Sequence, residues 1–184
     1  LCRPSWAKPE QRRSTSEPGS ETGISRVALW QTSLRLAQLR QEARDKSDAE
    51  GLSRLMLRAQ KAGALGLSRP LRVLLTWAHP EADVDLRIAP PDEEYGPAND
   101  LAPQLGLLGW HSHKTAPLAG TYGIEVVRRD RPGSLSYSGE LSVIAGEGEK
   151  SERLWRVPVT FTGDTTTARF VWNGSQLQKV EAQR

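Results

Sequence analysis

The sequence predicts a mainly β protein, an antiparallel β-sandwich of about seven strands, Ig-like or jelly-roll-like, with an N-terminal helical hairpin. Apolar residues recur at helical spacing in the first third of the chain, and from Pro70 onward they alternate with polar ones. No helical pattern interrupts the alternating runs, which favours antiparallel pairing. Four segments are predicted: a disordered leader at 1–22, a helical hairpin at 23–67, a β-sandwich at 68–176 and a disordered tail at 177–184.

The leader is rich in Pro, Ser, Glu and Arg and contains few residues that could join a core, which predicts disorder. Cys2 is the only cysteine of the chain, which excludes an internal disulfide and a cysteine-based zinc site. Two interpretations of Leu1-Cys2 stay open. It is either the end of a bacterial lipoprotein signal with a lipidated Cys2 or an ordinary thiol.

The hairpin is predicted from two amphipathic segments separated by Ser47-Asp48, which are candidate helix caps. The apolar face of the first helix contains Val27, Trp30, Leu34 and Ala37, and that of the second contains Leu52, Leu55, Met56 and Ala59. Gly63 and Gly66 end the second helix. The pair resembles a tetratricopeptide-like unit, and one such unit cannot bury a core alone. We therefore expect it to pack on the domain that follows or to end an array.

Six strands are predicted from the period-two alternation, and a seventh near Leu105 to Trp110. The alternating inward residues are Val73, Leu75 and Trp77; Val84, Leu86 and Ile88; Tyr122, Ile124 and Val126; Leu141 and Val143; Trp155, Val157, Val159 and Phe161; and Ala168, Phe170 and Trp172. Pro, Gly and Asp clusters between these runs are turn signals. The tryptophans in phase with the inward face are interpreted as core residues.

The charge pattern argues against a nucleic-acid partner, and the apolar content argues against a membrane-spanning helix. The chain has 25 Lys and Arg against 22 Asp and Glu, a net charge of +3, and the two signs are mixed along it. Nucleic-acid binding needs clustered cations, so none is predicted. No stretch approaches the roughly 20 apolar residues that a membrane-spanning helix needs.

Asp83-Val84-Asp85 is the stretch that most resembles a chemical site. Since alternate residues of a strand share a face, Asp83, Asp85 and Arg87 point away from the core. Three interpretations stay open: a polar strand face with an aspartate–arginine pair, a Ca²⁺ site, or a catalytic carboxylate pair. The Ca²⁺ ligands would be Glu81, Asp83 and Asp85. Further oxygens for such a site are available from Asp92, Glu93, Glu94, Asn99 and Asp100.

The connection at 92–115 is the second candidate, since sandwich loops commonly carry binding residues. Its predicted exposed binding residues are Tyr95, Trp110, His111 and His113. The two histidines could face one way and hold Zn²⁺ or Cu²⁺, but two ligands do not make a site. An exposed polar loop is the simpler interpretation.

The stretch TWAHPEADVDLRI resembles an uncharacterised bacterial family, domain of unknown function 2135. NDLAPQLGL and AGTYGIEVV are also similar to it, so the resemblance covers residues 70–172. It implies a β-sandwich with a binding or structural role, often beside helical-repeat or extracytoplasmic modules, and it carries over no catalytic residue. The chain departs from the family pattern at His79-Pro80-Glu81, which weakens the Ca²⁺ interpretation.

We therefore predict a non-enzymatic binding or scaffolding module of a bacterial envelope or secreted protein, with a protein or glycan partner. No phosphate-binding loop, dinucleotide-binding turn, zinc-protease motif or nucleophile elbow occurs in the sequence. The alternative is a Ca²⁺-binding accessory domain of a secreted enzyme, and no other cofactor is expected.

Overall fold

The computed structural model describes residues 23–61, 69–79, 82–97, 106–112, 119–130, 136–162 and 167–180, with side chains from residue 27 onward. The predicted leader lies outside the described residues. Two helices, α1 (Gly23–Asp45) and α2 (Ala49–Lys61), precede the strands. The strands within these ranges are β1 (Leu71–Trp77), β2 (Val84–Ala89), β3 (Gly96–Pro97), β4 (Leu107–His111), β5 (Tyr122–Arg128), β6 (Tyr137–Ala145), β7 (Arg153–Phe161), β8 (Thr167–Trp172) and β9 (Leu177–Val180). Neither helix combines the length and apolar character that crossing a membrane would require.

The predicted helical hairpin is confirmed. Asp48 begins the second helix as expected, since its Oδ1 accepts a hydrogen bond from the backbone N–H of Gly51 at 2.7 Å. Ser47 forms the turn with a φ of 54°. Ala59 of α2 is buried, while Leu55 and Met56 are only half-buried. The two helices are therefore joined by a short, capped turn.

The strands form two antiparallel sheets. The four-stranded sheet has the order β4-β1-β6-β7 and the five-stranded sheet the order β3-β2-β5-β8-β9. One hydrophobic cluster contains alternate residues of both sheets, among them Val73 and Leu141 from the first and Leu86 and Phe170 from the second. The predicted period-two alternation therefore identifies the residues of this shared cluster.

The other side of the four-stranded sheet packs against α1. Val27, Trp30 and Ala37 of the helix form a second buried cluster with Leu74, Leu107 and Ile144 of the sheet. Leu34 packs at the border of this cluster, so the predicted apolar face of the first helix is confirmed. Because both sides of β1 are covered, its five residues from Leu71 to Leu75 are all buried.

Two strands lie where the sequence predicted none. Gly96–Pro97 pairs with β2 at the edge of its sheet, and two residues are too few to show any alternation. Leu177–Val180 pairs with β8, which corrects the predicted disordered tail from 177 onward. Leu177 lies opposite Trp172 and is buried, so this short edge strand contributes one side chain to the shared cluster.

Candidate functional site

The two aspartates of Asp83-Val84-Asp85 lie at the start of β2. Asp83 is exposed, and its carbonyl oxygen accepts a hydrogen bond from the backbone N–H of Arg129 at 2.8 Å. The Asp85 carboxylate forms an ion pair with the Arg129 guanidinium, and both side chains are partly exposed. The structure therefore has the polar strand face with an aspartate–arginine pair, although Arg129 is a partner that the sequence did not indicate.

The described residues contain no group of three or more histidine, cysteine, aspartate or glutamate side chains placed to hold a metal ion. Glu81, the third predicted Ca²⁺ ligand, lies outside them, as do Asn99 and Asp100. The Ca²⁺ site of the sequence analysis is therefore neither confirmed nor contradicted by the described residues.

Addition of Ca²⁺ is expected to leave the thermal unfolding midpoint unchanged, because Arg129 already neutralises the Asp85 carboxylate. A site filled at a hundredfold over its Kd would instead stabilise the fold by about 2.7 kcal/mol, a shift of several degrees. Thermal unfolding in 2 mM Ca²⁺ and then in excess chelator measures the difference. A shift that disappears in both Asp83→Ala and Asp85→Ala would contradict this expectation and establish the metal site.

The residues predicted as one exposed binding loop lie in three different places. Trp110 belongs to β4 opposite Val73, faces the cluster shared by the two sheets and contacts the Tyr122 ring at a centroid distance of 6.2 Å. His111 lies opposite Arg72 on the other side of that strand, 5.6 Å from the Trp30 ring of α1. His113 lies outside the described residues.

Trp110 and His111 therefore do not form an exposed loop site, which corrects the prediction. The seventh strand predicted near Trp110 is present as β4, and its apolar residues are consecutive because both sides of the strand are covered. Leu107 joins the cluster formed with α1, and Leu108 joins the shared cluster. Of the described candidates Tyr95, Trp110 and His111, only Tyr95 is exposed, with 45 % of its surface accessible.

Tyr95 lies on the side of the five-stranded sheet that points away from the shared cluster. We call this side the open face. Its residues on the three central strands are Asp85, Arg87 and Ala89 of β2, Gly123, Glu125 and Val127 of β5, and Thr167, Arg169 and Val171 of β8. Pro97 of β3 and Gln178 and Val180 of β9 lie beside them at the two edges. The residues of the central strands alternate with buried residues on each strand, which places them on one surface.

A row of charges crosses the middle of the open face. Arg87, Glu125 and Arg169 lie opposite one another on three neighbouring strands. The Arg169 Nε donates to Glu125 Oε1 at 2.9 Å, and the Arg87 Nη1 lies 3.8 Å from Glu125 Oε2. A single carboxylate is therefore shared by two guanidinium groups.

The Tyr95 ring covers Gly123 beside this row. A Cβ added to Gly123 would lie 2.8 Å from the Tyr95 Cζ, so only glycine lets the ring lie this close to the strand. Burial and the neighbouring Glu125 carboxylate raise the pKa of the Tyr95 hydroxyl, while Arg169 acts in the opposite direction. The phenol therefore stays neutral and available as a hydrogen-bond donor at physiological pH.

A second charged cluster lies where β5 ends and β6 begins. The Arg128 Nε and Nη2 donate to Asp130 Oδ2 at 2.8 and 2.6 Å, and the Tyr137 hydroxyl donates to Asp130 Oδ1 at 2.9 Å. Burial alone would raise the pKa of the Asp130 carboxyl, but these hydrogen bonds outweigh it and hold the pKa below its ordinary value. Burial and the Asp130 contact raise the pKa of Tyr137. The cluster thus links the end of β5 to the start of β6, since Arg128 and Tyr137 both donate to the same carboxylate.

Asp130→Asn is expected to lower the free energy of unfolding by on the order of 2 kcal/mol, since it weakens charge-assisted hydrogen bonds to a buried arginine. Because the folded-state pKa of Asp130 is depressed, its stabilisation is complete above the unfolded pKa of about 3.9 and is lost as the pH falls through the folded value. Urea unfolding between neutral and acid pH measures both effects. Asp92→Asn, on an exposed turn residue, is the control; an equal loss there would contradict the assignment.

A third cluster joins α1 to the turn between β6 and β7, and sequence reasoning missed it. Glu152 accepts hydrogen bonds from Arg40 Nε at 2.9 Å, Arg40 Nη2 at 2.6 Å and Arg44 Nη2 at 2.8 Å. Glu147 accepts from Arg72 Nε at 2.7 Å. The available signal was the position of Arg40, which continues the apolar face of α1 and so required a buried partner.

Comparisons with protein-family models, with curated proteins and with solved structures found no match to this chain.

Proposed function

We propose that this chain is a non-catalytic binding module, and that it binds a protein partner through the open face. In this proposal the two sheets form a β-sandwich of Ig-like or jelly-roll-like type, with the cluster that contains residues of both sheets as its core. The single observation that carries the proposal is the difference between the two outer surfaces. Helix α1 covers the four-stranded sheet, whereas the open face has an accessible tyrosine and two accessible arginines.

The composition of the open face supports a protein partner over a glycan. Tyrosine and arginine are the side chains most enriched at the energetic centres of protein interfaces. A glycan platform would need several exposed rings. The shared cluster contains Trp172 and has Trp77, Trp110 and Trp155 packed against it, and Trp30 of α1 is buried against the four-stranded sheet.

The state of the charged residues supports a non-catalytic role. A catalytic acid or base needs a hydrogen-bonding position next to a substrate and a pKa close to the working pH. The pKa of Asp130 instead lies below its ordinary value, because hydrogen bonds from Arg128 and Tyr137 outweigh its burial. The pKa of Tyr137 is raised by burial and by its contact with Asp130, so both pKa values move away from neutrality. We retain the bacterial envelope or secreted location, which the family resemblance implies, as part of the proposal.

Tyr95→Ala is expected to weaken binding of the natural partner by at least about tenfold, as for an aromatic residue at an interface centre. The partner is first captured from extracts of the producing cell and then titrated against purified variants. The stability of the variant is expected to stay within about 0.5 kcal/mol of the wild type, because the ring lies on the surface.

Leu57→Ala is the matched control, because Leu57 is also an exposed apolar residue, 52 % accessible, but lies on α2 and not on the open face. Loss of binding in Leu57→Ala together with full binding in Tyr95→Ala would place the interface on the hairpin and overturn the proposal.

A further inference from the structure

The two arginines of the open face have donors that the fold does not use. Their side chains are 39 % exposed for Arg87 and 54 % exposed for Arg169, against 10 % for the Glu125 between them. Among the described residues, the Arg87 guanidinium makes no hydrogen bond and lies near only one carboxylate, at 3.8 Å. Arg169 uses its Nε, which leaves both terminal nitrogens available.

The row Arg87–Glu125–Arg169 has a net charge of +1, since two guanidinium groups flank one carboxylate. Asp85 and Arg129 next to it neutralise each other. Neighbouring strands are about 4.8 Å apart, which separates the two arginines by roughly 10 Å at the backbone. The positive groups are thus the accessible ones, with the negative group beneath and between them.

This arrangement is complementary to one negative charge. A carboxylate placed over Glu125 can accept hydrogen bonds from the terminal nitrogens of both arginines, in the geometry that guanidinium groups favour. A phosphate carries nearly two negative charges, so binding it would leave excess negative charge next to the Glu125 and Asp85 carboxylates, which would repel it. Tyr95 and Val171 border the row on its other side and offer apolar contact.

We propose that the partner of the open face presents an acidic peptide segment, in which one Asp or Glu carboxylate bridges Arg87 and Arg169 while a neighbouring apolar side chain packs on Tyr95. This inference rests on the proposed function and specifies the chemistry of its partner. Like the rest of the face, it depends on strand register, since only pairing of β2, β5 and β8 in this register brings the two arginines to either side of Glu125.

The test is an NMR titration of the whole chain with three short peptides that share flanking leucines and carry a central glutamate, glutamine or phosphoserine. The glutamate peptide is expected to shift the Nε–Hε signals of Arg87 and Arg169 and the amide of Gly123, and the glutamine peptide to leave them in place. Equal shifts with the glutamine peptide, or stronger binding of the phosphoserine peptide, would overturn the acidic-peptide assignment.

Arg87→Gln is expected to weaken binding of the glutamate peptide at least about threefold while keeping the Arg169–Glu125 bond that supports the fold. Arg156→Gln is the matched control, because Arg156 forms a comparable exposed ion pair with Glu140 on the other sheet. Unchanged binding in Arg87→Gln, or an equal loss in Arg156→Gln, would overturn the proposal.

Glu125→Gln is expected to raise the affinity for the peptide, whereas Arg87→Gln lowers it. Because an unfolded variant would lose affinity, a gain cannot result from unfolding. Removal of the central carboxylate raises the net charge of the row from +1 to +2, so the glutamate peptide should bind more tightly and the phosphoserine peptide should gain even more. Weaker binding of the glutamate peptide by a folded Glu125→Gln protein would overturn the proposal. If the peptides fail but the natural partner still requires Tyr95, the open face remains the interface and only the acidic chemistry is wrong.

Discussion

Glu152→Gln is expected to lower the free energy of unfolding by about 3–5 kcal/mol, because it leaves the charge of a buried arginine without a counter-charge. Glu152 and Arg40 are both almost fully buried, and the carboxylate also binds Arg44 and the backbone N–H of Gly148, the latter at 2.7 Å. The amide of glutamine keeps the shape of the side chain but cannot supply the negative charge. Urea unfolding followed by circular dichroism measures the loss.

Glu149→Gln is the control for this prediction. Glu149 belongs to the same turn and is exposed, so its replacement should change the stability by no more than about 0.5 kcal/mol. A double replacement, Arg40→Met with Glu152→Leu, should lose less than the sum of the two single changes, since it removes both charges together. A loss below 1 kcal/mol for Glu152→Gln would contradict the buried pair.

Trp30→Ala is expected to cost about 3–5 kcal/mol, the range for removal of a large buried aromatic side chain. The ring lies at the centre of the contact between α1 and the four-stranded sheet, with Leu74 and Ile144 in the same cluster. It also lies 4.6 Å from the Arg72 guanidinium, a cation–π distance. Its removal would leave a cavity and deprive a buried arginine of one of its contacts.

Urea unfolding of Trp30→Ala measures this cost, and hydrogen exchange of α1 locates it. We expect faster exchange across Gly23–Asp45 and in Leu107–His111, the edge strand under the helix. Exchange that stays slow in both segments, together with unchanged stability, would mean that α1 is not packed on the sheet.

The fold was largely predictable because it depends on patterns that lie within short segments. Period-two alternation found the long strands, since one side of each faces the shared cluster. Asp48 could be recognised as a cap because capping depends on neighbouring residues only. The two-residue β3 was not predictable, and neither was β9, because its two apolar residues, Leu177 and Val180, do not show the period-two alternation of a strand.

The candidate site was predictable only in part, because it depends on register between strands that are distant in the chain. The sequence placed Asp85 and Arg87 on an outward face and predicted Tyr95 to be exposed. It could not show that Arg87 and Arg169 would flank Glu125. That arrangement requires β5 to pair with β8, although Glu125 and Arg169 are 44 residues apart in the chain. The same limit hid Arg129 as the partner of Asp85.

The most direct test of the central claim, that the open face is the binding surface, is site-specific photo-crosslinking. A photoreactive amino acid replaces Tyr95, Val171 or, as the control, Leu57, and each protein is irradiated with the captured partner. If the partner binds the open face, it is cross-linked from positions 95 and 171 and hardly at all from position 57. Cross-links from position 57 alone would contradict the central claim and assign the interface to the helical hairpin.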